Sequence, residues 1–169
     1  MQMLIQRSLE HNNKVYVCFV DFEKVFDRVK WPIMMNILQS IGVDWRDRRL
    51  LAELYLHQEM IVRIDGEHSE SCKVGRGVRQ GCLLSPLLFS LYAEFMMKDA
   101  MDTVKEGIKV GGKIVKDVRF ADDQGMITST RIGLQRMMDV LGKTAEEYGM
   151  KINAEKTKSQ GNGGIEDRR

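Results

Sequence analysis

Two runs that alternate apolar and polar residues, Lys116 to Phe120 and Gly125 to Thr128, meet at the tetrapeptide Phe120-Ala121-Asp122-Asp123. Alternation of this kind reads as a strand, and a tight polar pair between two such runs predicts a β-hairpin with Asp122 and Asp123 at its tip. An Asp-Asp pair in a turn is by itself ordinary turn chemistry, because aspartate tolerates the backbone angles a turn needs. A third carboxylate changes the reading. Asp21 ends another apolar strand pattern, Val15 to Val20. Carboxylates at the ends of adjacent strands can converge, and oxygen-rich clusters suit Mg²⁺ or Mn²⁺. Two such ions about 4 Å apart stabilise both the attacking and the leaving oxygen of an in-line phosphoryl displacement.

The 169 residues are enough for one domain with a real core, and 43% apolar with 30% charged is ordinary globular composition. A net charge of +2 permits a nucleic-acid partner without arguing for one, since no stretch carries a dense Lys/Arg run. Cys18, Cys72 and Cys82 share no metal spacing, and an unpaired odd count predicts a reducing compartment. Cys18, inside an apolar strand pattern, is expected to be buried. No signal-peptide core opens the chain, and no apolar run approaches the roughly 18 residues of a membrane span. An intracellular protein, nuclear or cytoplasmic and without a membrane partner, is expected. The twelve methionines scatter over helix patterns, which predicts core filling.

Residues 1 to 11 read as the end of a helix, and Val15 to Phe22 as a buried strand. Trp31-Pro32 opens a helix that Gly42 stops, with Ile33, Ile37, Leu38 and Ile41 as its stripe. A second helix runs from about Asp44 to His57, with Trp45, Leu50, Leu51, Leu54 and Tyr55 on one side. Met60 to Ile64 and Ser71 to Val74 read as paired strands around the hairpin turn Asp65-Gly66. After a loop with three glycines and two arginines, Gly75 to Cys82, Ser85-Pro86 caps and opens a long helix to about Val104. Gly111-Gly112 turns into the aspartate hairpin, and Leu134, Met137, Met138, Leu141 and Ala145 mark an amphipathic helix ending near Gly149. From Gly161 the composition predicts a disordered tail. Several strand pairs read as hairpins rather than crossovers, so the fold class expected is α+β, an antiparallel sheet with helices on one face and the other free for a ligand.

Four blocks in order resemble the reverse transcriptase palm, most closely that of the non-long-terminal-repeat (LINE-type) retrotransposon branch. Val20-Asp21-Phe22-Glu23-Lys24-Val25-Phe26-Asp27 is similar to motif A. Arg76 to Phe89, with Arg79-Gln80-Gly81-Cys82 and Ser85-Pro86 inside it, is similar to motif B. Phe120-Ala121-Asp122-Asp123 is similar to motif C, and Tyr148 to Asn153 with Glu155-Lys156-Thr157-Lys158 to motif D. The resemblance covers residues 1–160, taken as a partial palm domain, with 161–169 as the tail. It implies a polymerase palm-like antiparallel sheet with helices on one face, partial fingers and no thumb.

The activity implied is that of an RNA-directed DNA polymerase, adding deoxynucleoside triphosphates to a primer 3′-hydroxyl on an RNA template with two Mg²⁺ or Mn²⁺ ions. Asp21 and Asp122 would ligate both ions, Asp123 less directly, and the Phe22 carbonyl would complete the nucleotide-side site. Phe26 would stand under the incoming sugar and collide with a 2′-hydroxyl. Gln80 and the backbone at Gly81 would pack on nucleotide and template, and Arg79 would touch phosphate. Lys156 would protonate the pyrophosphate leaving group.

Phe120 stands where the family has tyrosine, and Gln124-Gly125 where it has apolar residues. Glycine weakens a strand by about 0.5–1 kcal/mol relative to alanine. The chain is expected to lack most of the fingers and the thumb, to be inactive or nearly so alone, and to self-associate through its exposed apolar surface. A catalytically silent retroelement remnant with a structural or nucleic-acid-binding role is the alternative. A metal-dependent nuclease or nucleotide cyclase shares the carboxylates but leaves the Gln80-Gly81 block unexplained.

Overall fold

The computed structural model describes residues 14–120, 123–161 and 164–166, and for residues 120, 123 and 164–166 it describes the backbone alone. The helix end expected over residues 1 to 11 lies outside the described residues. The chain divides into two compact units, one of residues 24–92 and one of the remainder.

The larger unit is built on a five-stranded antiparallel sheet in the order β11-β10-β1-β9-β8. Its strands are β1 (Tyr16–Val20), β8 (Asp117–Phe120), β9 (Asp123–Thr128), β10 (Lys158–Gly161) and β11 (Gly164–Glu166). Interior strand β9 is the most protected, with residues 124–128 all buried between β1 and β8. Pairing Val17 with Ile127 and Cys18 with Met126 puts each couple on one face of the sheet. Val17 and Ile127 cluster with Val15, Ile108, Val110 and Val115, so the hairpin of β6 (Ile108–Val110) and β7 (Lys113–Val115) covers that end of their face. Two residues on, Phe19 is 42% exposed, and the same face opens towards Asp21.

Helix α5 (Arg131–Glu147) packs on β1 and β9 and buries Leu134, Met137, Leu141 and Ala145 of the stripe its sequence predicts, with Met138 half-buried. Thr130 caps its start by accepting from the Gly133 N–H. Gly149, at φ 73°, ends it. The Gly149 N–H reaches the Glu146 carbonyl and the Met150 N–H the Ala145 carbonyl, a paired closure that the left-handed glycine makes possible. Helix α4 (Ser85–Asp102) gives its second half to this unit, where Met96, Met97 and Met101 are buried. Methionine does fill the core here, each buried side chain contributing about 1.5–3 kcal/mol.

The second unit holds α1 (Val25–Arg28), α2 (Trp31–Ser40), α3 (Trp45–Leu56), the first half of α4 and two nested two-stranded hairpins. β2 (Glu59–Met60) pairs with β5 (Cys72–Lys73), and β3 (Arg63–Ile64) with β4 (Glu67–His68). The expected Asp65-Gly66 turn lies between β3 and β4, both residues at positive φ. The core of this unit is Trp31 stacked on Tyr55, ring centroids 3.9 Å apart, with Met34, Ile37, Leu38, Phe89 and Tyr92 also buried. The α3 stripe differs from expectation: Tyr55 is buried, but Trp45, Leu50 and Leu54 are exposed.

Two further expectations need adjustment. Asp123 is the first residue of β9, paired with Phe120, rather than part of the turn. Of the tail expected to be disordered, Gly161 closes β10 and Gly164–Glu166 form β11, because antiparallel pairing satisfies their backbone despite a polar, glycine-rich composition. No described helix is long and apolar enough to cross a membrane.

Candidate active site

The larger unit carries Asp21, Phe22, Asp122, Asp123 and Lys156; the smaller carries Phe26, Arg79, Gln80 and Gly81.

Asp21 directly follows Val20, whose partner on β9 is Gln124. One residue beyond that pair, β1 continues into Asp21 and β9 begins at Asp123. The register therefore brings both carboxylate-bearing segments to one end of two adjacent strands, where neighbouring Cα atoms stand about 4.5–5.5 Å apart. Asp122 lies outside the described residues, and among those described no three acidic, His or Cys residues gather as a metal cluster.

Asp21 is half-buried, and its backbone is held by residues 153–157. Its carbonyl accepts from the Asn153 N–H at 2.8 Å, and its N–H reaches Thr157 Oγ1 at 3.4 Å. The following residues are fastened too. Phe22, buried, forms a single antiparallel bridge with Ile152, and the Glu23 N–H donates to the Lys151 carbonyl at 2.8 Å. The Glu23 carboxylate also pairs with the Lys151 ammonium at 2.9 Å. Lys156 Nζ stands 3.9 Å from Asp21 Oδ2. Lys156 is largely exposed, so the pair adds well under 1 kcal/mol to stability; its interest is placement.

Strand β8 is anchored by Arg119, which pairs with Glu94 of α4 at 2.6 Å and also with Asp117. Burial alone would lower the Arg119 pKa, but the two carboxylates outweigh it and hold the value above normal. The Tyr148 hydroxyl donates to Asp99, also on α4.

In the smaller unit Phe26 is half-buried, its ring 5.2 Å from Phe89 and tilted by 43°. The glycine loop is stitched to the same stretch. Gly77 N–H donates to the Val29 carbonyl, Val78 N–H to the Phe26 carbonyl, and Trp31 Nε1 to the Gly77 carbonyl at 3.0 Å. A Cβ on Gly77, at φ 97°, would lie 3.1 Å from the Asp27 Cα, so glycine is needed there for close approach. Gln80 and Gly81 are exposed, and the space beside Gly81 is open. Arg79, expected at a phosphate, donates to the Leu54 carbonyl in the last turn of α3 at 3.3 Å. Its own carbonyl accepts from Ser85 Oγ at 2.5 Å, so Ser85 fastens the loop from the first turn of α4. The Leu84 backbone N–H lowers the pKa of the Cys82 thiol in this loop.

Sequence reasoning missed Asn153 and Thr157, which hold Asp21, and it read Trp31 as the start of a helix, without its bond to Gly77. The one available signal was an asparagine three residues before Lys156, the spacing of a side chain that caps a turn.

The profile of the reverse transcriptase (RNA-dependent DNA polymerase) family matches residues 2–161, and the chain belongs to that family. It is similar to the retrovirus-related Pol polyprotein of type-2 retrotransposable element R2DM of Drosophila melanogaster, 29% identical over 156 residues. That match covers 92% of this chain and 15% of the relative. It is also similar to the RNA-directed DNA polymerase from mobile element jockey of Drosophila melanogaster, 30% identical over 88% of this chain and 16% of the relative. The chain thus spans about a sixth of these relatives. Among solved structures, telomerase from Candida tropicalis in complex with a fragment of telomeric RNA superposes with TM-score 0.73 at 14% identity, over 96% of this chain and 30% of that one. Apo telomerase from the same organism gives 0.71 at 16% identity, over 96% of this chain and 33% of that one. At these identities the likeness establishes the fold: an antiparallel sheet with packed helices, as expected.

Proposed function

We propose that this chain is the metal-bearing part of an RNA-directed DNA polymerase that extends a primer 3′-hydroxyl with deoxynucleoside triphosphates on an RNA template. The observation that supports it best is the β1–β9 register, which sets Asp21 beside the segment bearing Asp122 and Asp123. An all-oxygen donor set on a half-buried strand end fits Mg²⁺ or Mn²⁺ better than softer metals. Asp21, Asp122, Asp123 and the Phe22 carbonyl would hold two such ions, which when bound lower the charge barrier at the attacking and leaving oxygens.

The chain's own residues then have distinct tasks. Lys156, exposed and beside Asp21, delivers a proton to the departing pyrophosphate oxygen. Phe26, backed by Phe89, meets the sugar and selects against a 2′-hydroxyl. Gln80 and the open backbone at Gly81 meet the nucleotide and template, and the exposed Arg79 of the same loop touches phosphate. The experiment is replacement of the matching segment of the jockey relative by residues 14–161, followed by primer extension on an RNA template. Extension that is retained by the chimaera and abolished by Asp21→Asn is expected. Retained extension in Asp21→Asn would refute the assignment.

A further inference from the structure

Asp21 lies just past the last pair of the β1–β9 ladder, so that ladder does not fix its backbone. Residues 153–157 do so instead. Both main-chain polar groups of Asp21 are bound by this turn, the carbonyl by the Asn153 N–H and the N–H by Thr157 Oγ1. The turn is closed on itself: the Thr157 N–H donates to the Asn153 carbonyl at 2.9 Å, and Asn153 Oδ1 accepts from the Lys156 N–H at 3.3 Å. An asparagine side chain that accepts from a backbone N–H further along substitutes for a missing backbone partner and narrows the angles open to the residues between. One side chain thus orders the backbone from which Lys156 projects, while its own main chain grips Asp21. The ammonium of Lys156 ends 3.9 Å from the Asp21 carboxylate.

We infer that Asn153 is a positioning residue, which presents the carboxylate of Asp21 and the ammonium of Lys156 as one preformed pair. The inference rests on the polymerase reading for what the pair does, and on the hydrogen bonds of the turn for how it is made. Asn153 touches neither substrate nor metal in this scheme. It acts through Lys156 and Asp21, as residues behind a metal ligand generally do. Preorganisation of this kind matters because a proton donor and a metal ligand that drift independently by an ångström lose most of their advantage.

The test compares Asn153→Ala, which deletes the acceptor, with Asn153→Ser, which keeps a shorter one, in the full chain. Amide hydrogen exchange at Lys156 and Asp21 is read without metal, and Mn²⁺ affinity by electron paramagnetic resonance with and without a deoxynucleoside triphosphate. Loss of one hydrogen bond predicts exchange at Lys156 roughly three- to tenfold faster in Asn153→Ala. Mn²⁺ affinity falls roughly tenfold, the low end for residues supporting a metal ligand. Asn153→Ser recovers most of both, and the melting midpoint stays near that of the native chain, which separates positioning from general destabilisation. Unchanged exchange at Lys156, or Mn²⁺ binding by Asn153→Ala equal to native, overturns the inference and leaves the polymerase reading standing. Failure of the native chain to bind Mn²⁺ under either condition overturns that reading and the inference with it.

Discussion

The β8–β9 hairpin and the nested hairpins of β2 to β5 are both antiparallel, yet they differ in length and burial. In β9, residues 124–128 are buried, with partners on both sides and α5 packed against the strand. In β2 to β5 every residue is exposed and no strand exceeds two residues. A turn sequence decides where the chain reverses; burial of one face decides how far the ladder runs beyond it. Asp21 and the backbone of Asp123 adjoin the first kind of region, where packing fixes register over several elements at once.

Substitution under the sheet breaks that contrast most directly. Met137→Ala or Leu141→Ala, each fully buried on α5, is expected to cost about 2–5 kcal/mol in urea unfolding. A cost below about 1 kcal/mol would mean that α5 does not support the sheet as described.

Alkaline pH gives the next largest effect, within the smaller unit's core. Burial pushes the Tyr92 hydroxyl up to about 12, with the Lys30 backbone N–H bond pulling the other way. The folded chain therefore keeps a proton that the unfolded chain loses near pH 10. Stability is intact below about pH 10, falls as pH rises from there, and has lost about 2–3 kcal/mol from this group by pH 12. Tyr92→Phe should flatten most of that fall, leaving a smaller slope from Tyr55, which burial also raises. An equally steep fall in Tyr92→Phe would contradict the assignment.

Gly149→Ala forces a side chain into a left-handed position and is expected to lower stability by about 1–2 kcal/mol. The same change at Gly66, φ 90°, strains only an exposed hairpin and should speed local exchange without moving the global midpoint. Smallest of all, Ile64→Ala, 67% exposed, should change stability by no more than about 0.5 kcal/mol. A cost of several kcal/mol at Ile64 would show that this hairpin is buried in solution.

What was legible from sequence follows the same division. Gly42 and Gly149 as helix stops, the start of α3 near Asp44, the α5 stripe and the Asp65-Gly66 turn are local signals, and the structure contains all of them. Trp45, Leu50 and Leu54 were harder, because helical periodicity says which residues share a face and not what that face meets. Asn153 and Thr157 were invisible as site-supporting residues. Their bonds to Asp21 cross more than 130 positions, and in sequence they are ordinary polar residues in a Lys/Glu stretch. Strand β11 was hidden by glycine-rich composition, which weakens propensity but leaves the backbone able to pair. The four motif blocks, by contrast, carried the family at once, since their order and spacing reflect a site rather than a propensity.

The central claim is that Asp21 and Asp122, 101 positions apart by number, serve one metal site at the end of β1 and β9. Mn²⁺ binding by the purified chain, with and without a deoxynucleoside triphosphate, should be measured against the double variant Asp21→Asn/Asp122→Asn, with metal taken up by the nucleotide itself subtracted. Saturable binding by the native chain that disappears in the variant is the predicted result. Equal binding by both would contradict the account, because the metal would then sit elsewhere.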